Sequence, residues 1–377
     1  MGTISRCAFM RIILTVHAFF PHSTFGTEVY TLALARQIQR RRHRVTVMTC
    51  ESNRWGDSPE ISAHQDVWQG VNVQRLSFNV LRTPNPVRYD YYNPYIETYL
   101  QEFYSSYKAD LVHVCHPGNL STAVITAAKK LGIPVVTAAT DFWYICPTSQ
   151  LLRYDRNLCP GPIHPAQCLL CYVYQRKMGQ RYRRLIDRLP IRVLNWGMQI
   201  CRLPWAEYNW HTRMVRALLQ RREWMLQTLE TTDRVISPSR FLRDRLVENG
   251  VQADKIVVSA HGIETEWVQS VPRVRQPSEH LRFAFIGMVG WHKGPHIAVQ
   301  AFNRLRHPNG ATLTLYGDNQ HFADYFHELK PQIESNSSIT YAGRFPHSQI
   351  AKILSGVDVL LMPSLWYENT PVIMYEA

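Results

Sequence analysis

The sequence predicts an α/β protein built from two Rossmann-like, doubly wound halves. Three observations carry this reading. Short apolar runs alternate with segments of helical period along most of the chain. The alternation restarts after a proline-bearing stretch at residues 268–280. A chain of 377 residues also exceeds what one ordinary core accommodates.

In the first half, residues 11–17 (RIILTVH) read as a strand, followed by the loop FPHSTFG. A helix then begins near Glu28, with Tyr30, Leu34 and Ile38 recurring on one side. Further strands are expected at 44–49, 110–115 and 133–139, with a helix through 121–131. Residues 233–239 read as a strand that leads into a helix ending at Gly250, and 255–262 as another strand. Strand–helix alternation of this kind argues for a parallel sheet covered by helices. Residues 1–267 form the first domain, and 268–280, with Pro272 and Pro277, form a linker. In the second domain, 281–377, strands are expected at 281–287, 311–317, 338–343 and 357–364. A helix covers 294–306, and another starts near Pro371. Four strands are fewer than the roughly five or six of a full domain of this type. The second domain is therefore expected to be a fragment, with apolar sheet surface exposed.

The composition, 45% hydrophobic and 19% charged, fits a folded globular chain. No apolar run reaches the roughly 20 residues that cross a bilayer. Arg11 interrupts the apolar part of the N-terminus, so no secretory signal is read and a cytoplasmic location is expected. The net charge of +13 favours anionic partners. Eight cysteines in a cytosolic chain point to free thiols or metal ligands rather than disulfides.

Three turns carry candidate chemistry. Gly26 stands where a helix start after a strand admits a phosphate. The segment FIGMVGWHKG (285–294) follows a strand and precedes a helix. Its Gly287 and Gly290 allow close backbone approach, and Lys293 supplies a point charge for a diphosphate. A plain glycine-rich turn with a solvated lysine has the same pattern. In SLWYENTPVIMYEA (364–377), Glu368 and Glu376 flank Asn369, Thr370 and Pro371 at a strand-to-helix junction. Carboxylates there accept from sugar and ribose hydroxyls, although two surface glutamates near a helix start read the same way. The order of the turns favours a ligand. Both of the later ones lie in one Rossmann-like domain, at the carboxyl ends of strands.

Two further regions stand out. Cys146, Cys159, Cys168 and Cys171 have a spacing, ending in CxxC, that suits a structural zinc ion pinning the loop 146–171. Four thiols without metal are the alternative, and an iron–sulfur cluster is a weaker one. Residues 172–230 read as a basic helical insertion rich in tryptophan, including Arg181, Arg183, Arg184, Arg188, Arg192, Trp196, Trp205, Trp210 and Trp224. Arginine with tryptophan suits an anionic membrane face and a lipid-linked acceptor; helix packing with solvated arginines explains the residues equally well. His113 is read as a packed strand histidine, and His116 as lining an acceptor site.

With Gly26-Thr27-Glu28, DLVHVCHPG, TDFWYICPTSQLL, SPSRFLRDRL, HGIE, IGMVGWHKG and PSLWYENTPVIMYEA in order, the chain resembles the retaining family 4 glycosyltransferases of the GT-B fold. The last segment matches that family's E-x7-E signature. The resemblance implies two Rossmann-like domains facing a cleft and a nucleotide-diphosphate sugar donor on the second domain. It also implies a glycan or lipid-linked acceptor on the first, hexose transfer with retention, and no metal for transfer. Carried over by position, Glu368 touches the donor hexose near its anomeric carbon. Asn369 and Thr370 offer backbone amides, Glu376 takes the ribose hydroxyls, Lys293 neutralises the diphosphate, and Gly26 lets its loop close. Many relatives carry Arg where this chain has Met288, and His where it has Thr140; Asp141 is then the remaining polar candidate beside the acceptor. A sugar-nucleotide epimerase of the same architecture is the second reading, and an inactive nucleotide-sugar-binding relic the third. A nucleic-acid binder ranks last, because no recognition motif accompanies the charge.

Overall fold

The computed structural model describes residues 9–162, 164–175, 189–262, 277–305 and 310–377. Part of the expected linker (268–276), and Arg181, Arg183, Arg184 and Arg188 of the expected basic insertion, lie outside them. The chain divides into two compact units, Met1–Gly262 and Ile263–Ala377.

Unit 1 is an eight-stranded sheet. Its strands are β1 (Arg11–Val16), β2 (Arg44–Ser52), β3 (Ser62–Trp68), β4 (Val71–Ser77), β5 (Leu111–Val114), β6 (Val135–Ala138), β7 (Arg234–Ser237) and β8 (Ile256–Val258). The order is β3-β4-β2-β1-β5-β6-β7-β8, and every pairing is parallel except β3 with β4. Helices cover the sheet, so its inner strands bury both faces and read as continuous apolar runs, as RIILTV and RVTVMT do. One core gathers Ile12, Leu14 and Val16 with Val45, Val47, Val71 and Val73, and Leu32 and Ala35 of α1 (Gly26–Arg40) close it. Tyr30, Leu34 and Ile38 pack against the same core, which is why their spacing was visible.

The β3–β4 hairpin carries no such signal. β3 is mostly exposed and lacks apolar alternation. Its two-residue turn uses Gln69 and Gly70, both at positive φ, which the tight hairpin turn demands. α2 (Pro86–Tyr91) and α3 (Pro94–Tyr107) follow, each entered through an asparagine cap and a proline at the first turn. α4 (Ala123–Lys130) connects β5 to β6. α5 (Pro165–Gln175), α6 (Ile191–Ile200) and α7 (Trp210–Thr231) lie between β6 and β7, and α8 (Arg240–Glu248) between β7 and β8.

Unit 2 is a four-stranded parallel sheet of β9 (Leu281–Ile286), β10 (Ala311–Tyr316), β11 (Ile339–Gly343) and β12 (Val359–Leu361), in the order β11-β10-β9-β12. α9 (Pro295–Asn303) and α10 (Ala323–Glu334) supply Val299, Phe302, Leu329 and Ile333 to a core with Phe285, Leu313 and Leu315. α11 (Ile350–Ser355) precedes β12, and α12 (Val372–Glu376) is the last element. Among the described residues β12 pairs only with β9, and all three of its residues are half-buried.

Candidate functional site

In unit 1 the chain turns outward from β1 in two directions, toward β2 on one side and toward β5 and β6 on the other. Such a reversal of strand order opens a crevice at the carboxyl ends of the strands. His17 follows β1, His116 follows β5, and Asp141 follows β6. The His116 ring lies 3.0 Å (Nε2) from Asp141 Oδ2. Its Nδ1 accepts from the Gly118 amide at 2.9 Å, so Nε2 is the nitrogen left to carry a proton toward Asp141. Asp141 Oδ1 accepts from the Trp143 amide at 2.7 Å. Burial opposes ionisation of Asp141, but His116 and that amide outweigh it and hold the carboxyl below its ordinary value.

The His17 ring meets His116 edge to face at 4.5 Å, and its Nε2 lies 3.3 Å from Glu28 Oε1. Ser23 Oγ donates to the same carboxylate oxygen at 3.0 Å. Glu28 is fully buried, and burial raises its pKa. Burial and the neighbouring His116 lower that of His17 to about 3, leaving a neutral imidazole. Gly118 leaves no room beside these rings: a Cβ there would stand 2.7 Å from the His116 ring. His17 and Gly118 escaped the sequence reading; the usable signal was a histidine directly after a strand's carboxyl end. Gly26 is the exposed first residue of α1, two positions before Glu28. His113 is buried and neutral, its pKa pushed down to about 4 by burial.

In unit 2, Lys293 and Glu368 meet. Lys293 Nζ lies 2.7 Å from Glu368 Oε1, and the same oxygen accepts from Ser364 Oγ at 2.6 Å and Trp366 Nε1 at 2.7 Å. The second carboxylate oxygen takes none of these bonds. The Lys293 ammonium also sits 4.8 Å above the Trp366 ring. Burial alone would raise the Glu368 pKa, but Lys293 and the two neutral donors together hold it below the ordinary value.

Backbone geometry fixes this contact. Gly294 adopts φ +72, and a Cβ there would stand 2.0 Å from the Pro363 carbonyl oxygen, so the glycine lets the turn after β9 press against the segment after β12. Leu365 N donates to His292 O at 2.8 Å across the same seam. Gly290 faces Phe322, and a Cβ on Gly287 would meet only Phe285. Eight residues beyond Glu368, Glu376 is buried and takes a 2.6 Å contact from His347 Nε2. That contact raises the His347 pKa. Asn369 is half-buried, and the Thr370 hydroxyl is shielded with no hydrogen-bond partner among the described residues.

The four cysteines lie on one loop and helix of unit 1. Among the described residues no three His, Cys, Asp or Glu side chains already stand at metal-holding positions. The tryptophans of the basic segment divide. Trp224 is packed, donating to Thr122 Oγ1 at 2.9 Å under the Arg88 guanidinium, whereas Trp196, Trp205 and Trp210 are exposed.

Comparison with known proteins identifies the family. Residues 25–267 match the family described as Glycosyltransferase Family 4. The chain belongs to that family. Residues 280–377 of this family 4 chain match a second description, Glycosyl transferases group 1. Glycogen synthase of Mycobacterium tuberculosis is 27% identical over 179 residues, 46% of this chain and 42% of that protein. An uncharacterized 42.6 kDa protein in the cps region of Klebsiella pneumoniae is 27% identical over 157 residues, 38% of this chain and 40% of that protein. The family 4 chain thus aligns with roughly two fifths of each of these relatives. Among solved structures, Anabaena HepE in complex with UDP and glucose covers 98% of this chain and 78% of its own, with TM-score 0.56 and 13% identity. The lipopolysaccharide outer core galactosyltransferase WaaB covers the same shares with TM-score 0.53 and 12% identity. At these identities the likeness establishes the fold, the two-domain Rossmann-like GT-B architecture.

Proposed function

We propose that this chain is a glycosyltransferase that moves a hexose from a nucleotide-diphosphate sugar to a glycan or lipid-linked acceptor, with retention of anomeric configuration. The observation that carries the reading is the Lys293–Glu368 contact at the carboxyl end of β12, seated by Ser364 and Trp366. A cation beside a carboxylate offers one partner to a diphosphate and one to a sugar hydroxyl. Departure of a nucleoside diphosphate builds charge on phosphate oxygen, which Lys293 is positioned to neutralise in a half-buried setting. Positive character then grows at the sugar carbon, where Glu368 is the nearby anion. Glu376, oriented by His347, suits a pair of ribose hydroxyls. On the acceptor side, His116 and Asp141 form a hydrogen-bonded pair able to orient an acceptor hydroxyl. Transfer to a glycan acceptor, followed by NMR assignment of the new linkage, tests this across a panel of nucleotide sugars. Donor turnover without acceptor would point to an epimerase instead.

A lipid-linked acceptor fits the segment 189–210. Trp196 is 70% exposed and Tyr208 89%, beside exposed Val193, Leu203, Trp205 and Trp210. Arg192 and Arg202 are exposed among them. Aromatic rings with arginines suit the interface of an anionic membrane, and among the described residues no helix is long and apolar enough to cross one. Vesicles rich in anionic lipid should retain the chain, with salt-sensitive binding that falls several-fold when Trp196 and Trp205 are replaced by Ala; equal binding to neutral vesicles would sink this part.

A further inference from the structure

We propose that Cys146, Cys159, Cys168 and Cys171 form a tetrahedral thiolate site for one zinc ion, which fastens the loop after β6 to α5. The site is independent of the transferase reading.

The backbone brings the four together from a turn, a hairpin and a helix. Cys146 ends a tight turn in which its amide donates to Phe142 O at 2.7 Å. Cys159 closes a small hairpin, its amide donating to Leu151 O at 2.8 Å beside the Leu152–Leu158 bridge. Cys168 and Cys171 are three residues apart on α5, hence on one face of that helix. All four line a single small cavity of about 20 Å³ whose other walls include Ile145 and Leu151. That volume suits one small occupant. Turn, hairpin and helix each offer thiols to a common centre, the arrangement that structural Cys₄ zinc sites require.

The thiols are not yet gathered. Cys146 Sγ lies 3.3 Å from Thr148 Oγ1, and Cys159 Sγ donates to Gly161 O at 3.2 Å.

A second observation comes from charge. Arg221 is buried, and its hydrogen bond at 2.5 Å goes to a neutral acceptor, the Trp143 carbonyl. A buried guanidinium is costly unless anions face it. Its field meets Asp90 first and then reaches Cys146 and Cys168, and Arg153, paired with Asp155 at 2.6 Å, borders the same cavity. Four thiolates around Zn²⁺ carry a net charge of about −2, and Arg221 contributes to offsetting it. The step is a ligand exchange: four S–H protons pass to solvent, four Zn–S bonds form, and no atom changes oxidation state.

The test is metal analysis of the full chain purified under reducing conditions without chelator, together with cobalt exchange. The expected result is about one zinc per chain, replaced by Co²⁺ with thiolate-to-cobalt charge-transfer absorption. Cys168→Ser with Cys171→Ser should cut metal content at least tenfold, and Cys201→Ser should leave it unchanged. A chelator should lower the melting temperature of the wild type but not of the double variant. The proposal is overturned if the reduced wild type holds no zinc and gives no cobalt–thiolate absorption. It is equally overturned if the double variant keeps wild-type metal content, or if mass analysis finds the four cysteines oxidised in pairs.

Discussion

Lys293 and Glu368, 75 positions apart, meet at 2.7 Å in a half-buried seam of unit 2. Ser364 and Trp366 hold the same Glu368 oxygen, so the carboxylate is oriented by three donors. Removing one partner leaves the other charge partly desolvated and unmatched. Lys293→Ala and Glu368→Ala should each lower unit 2 stability by about 1–2 kcal/mol, the double variant costing less than their sum. Denaturant titration of the four proteins measures the coupling.

Gly294 is the backbone hinge of that seam. Gly294→Ala forces a Cβ toward the Pro363 carbonyl and strains a left-handed residue. A loss of about 2 kcal/mol or more is expected, read as a fall in melting temperature. Gly287→Ala, which meets only ordinary contact with Phe285, is the tolerated control.

Gly118→Ala should disturb the His17–His116 ring pair, because its Cβ would overlap the His116 ring. Asp141→Asn keeps the shape but removes the charge that faces His116. Transfer should fall about 100-fold or more in both variants, within the span of positioned acid–base groups. Donor affinity measured on each variant should stay near wild type.

Stability should also depend on pH in two opposing ways. Burial lowers the pKa of His17 to about 3, and those of His113, His261 and His292 to about 4. Their stabilisation is complete above the unfolded value near 6.5 and is lost as pH falls toward the folded values. Each costs up to about 1.4 kcal/mol per pH unit in that window. His347 has the opposite sign. Its pKa is raised by Glu376, so its contribution is present below about 6.5 and fades as pH rises through the folded value. Melting curves from pH 8 to 5 should show a net fall toward acid, steeper in His347→Gln.

Much of the fold was legible because parallel strands buried on both faces leave unbroken apolar runs, as RIILTV and LRFAFI do. The β3–β4 hairpin was not, since β3 is exposed on most positions and its register comes from the Gln69–Gly70 turn. In the site, residue type and order singled out Lys293, Glu368 and His116, and the family resemblance added Asp141. Contacts between separate elements stayed hidden: His17 against Glu28 and His347 against Glu376. No local period records a pairing between elements that meet only in the folded state.

Calorimetric titration with a panel of nucleotide-diphosphate sugars measures the grip of Lys293 and Glu368 on the donor. One donor should bind the wild type, and Lys293→Ala should weaken it about 10–100-fold, the loss of one charge-assisted contact to phosphate. Glu368→Gln should bind the free nucleoside diphosphate unchanged but bind the intact sugar nucleotide more weakly. Wild-type affinity for the donor in both variants would contradict the account.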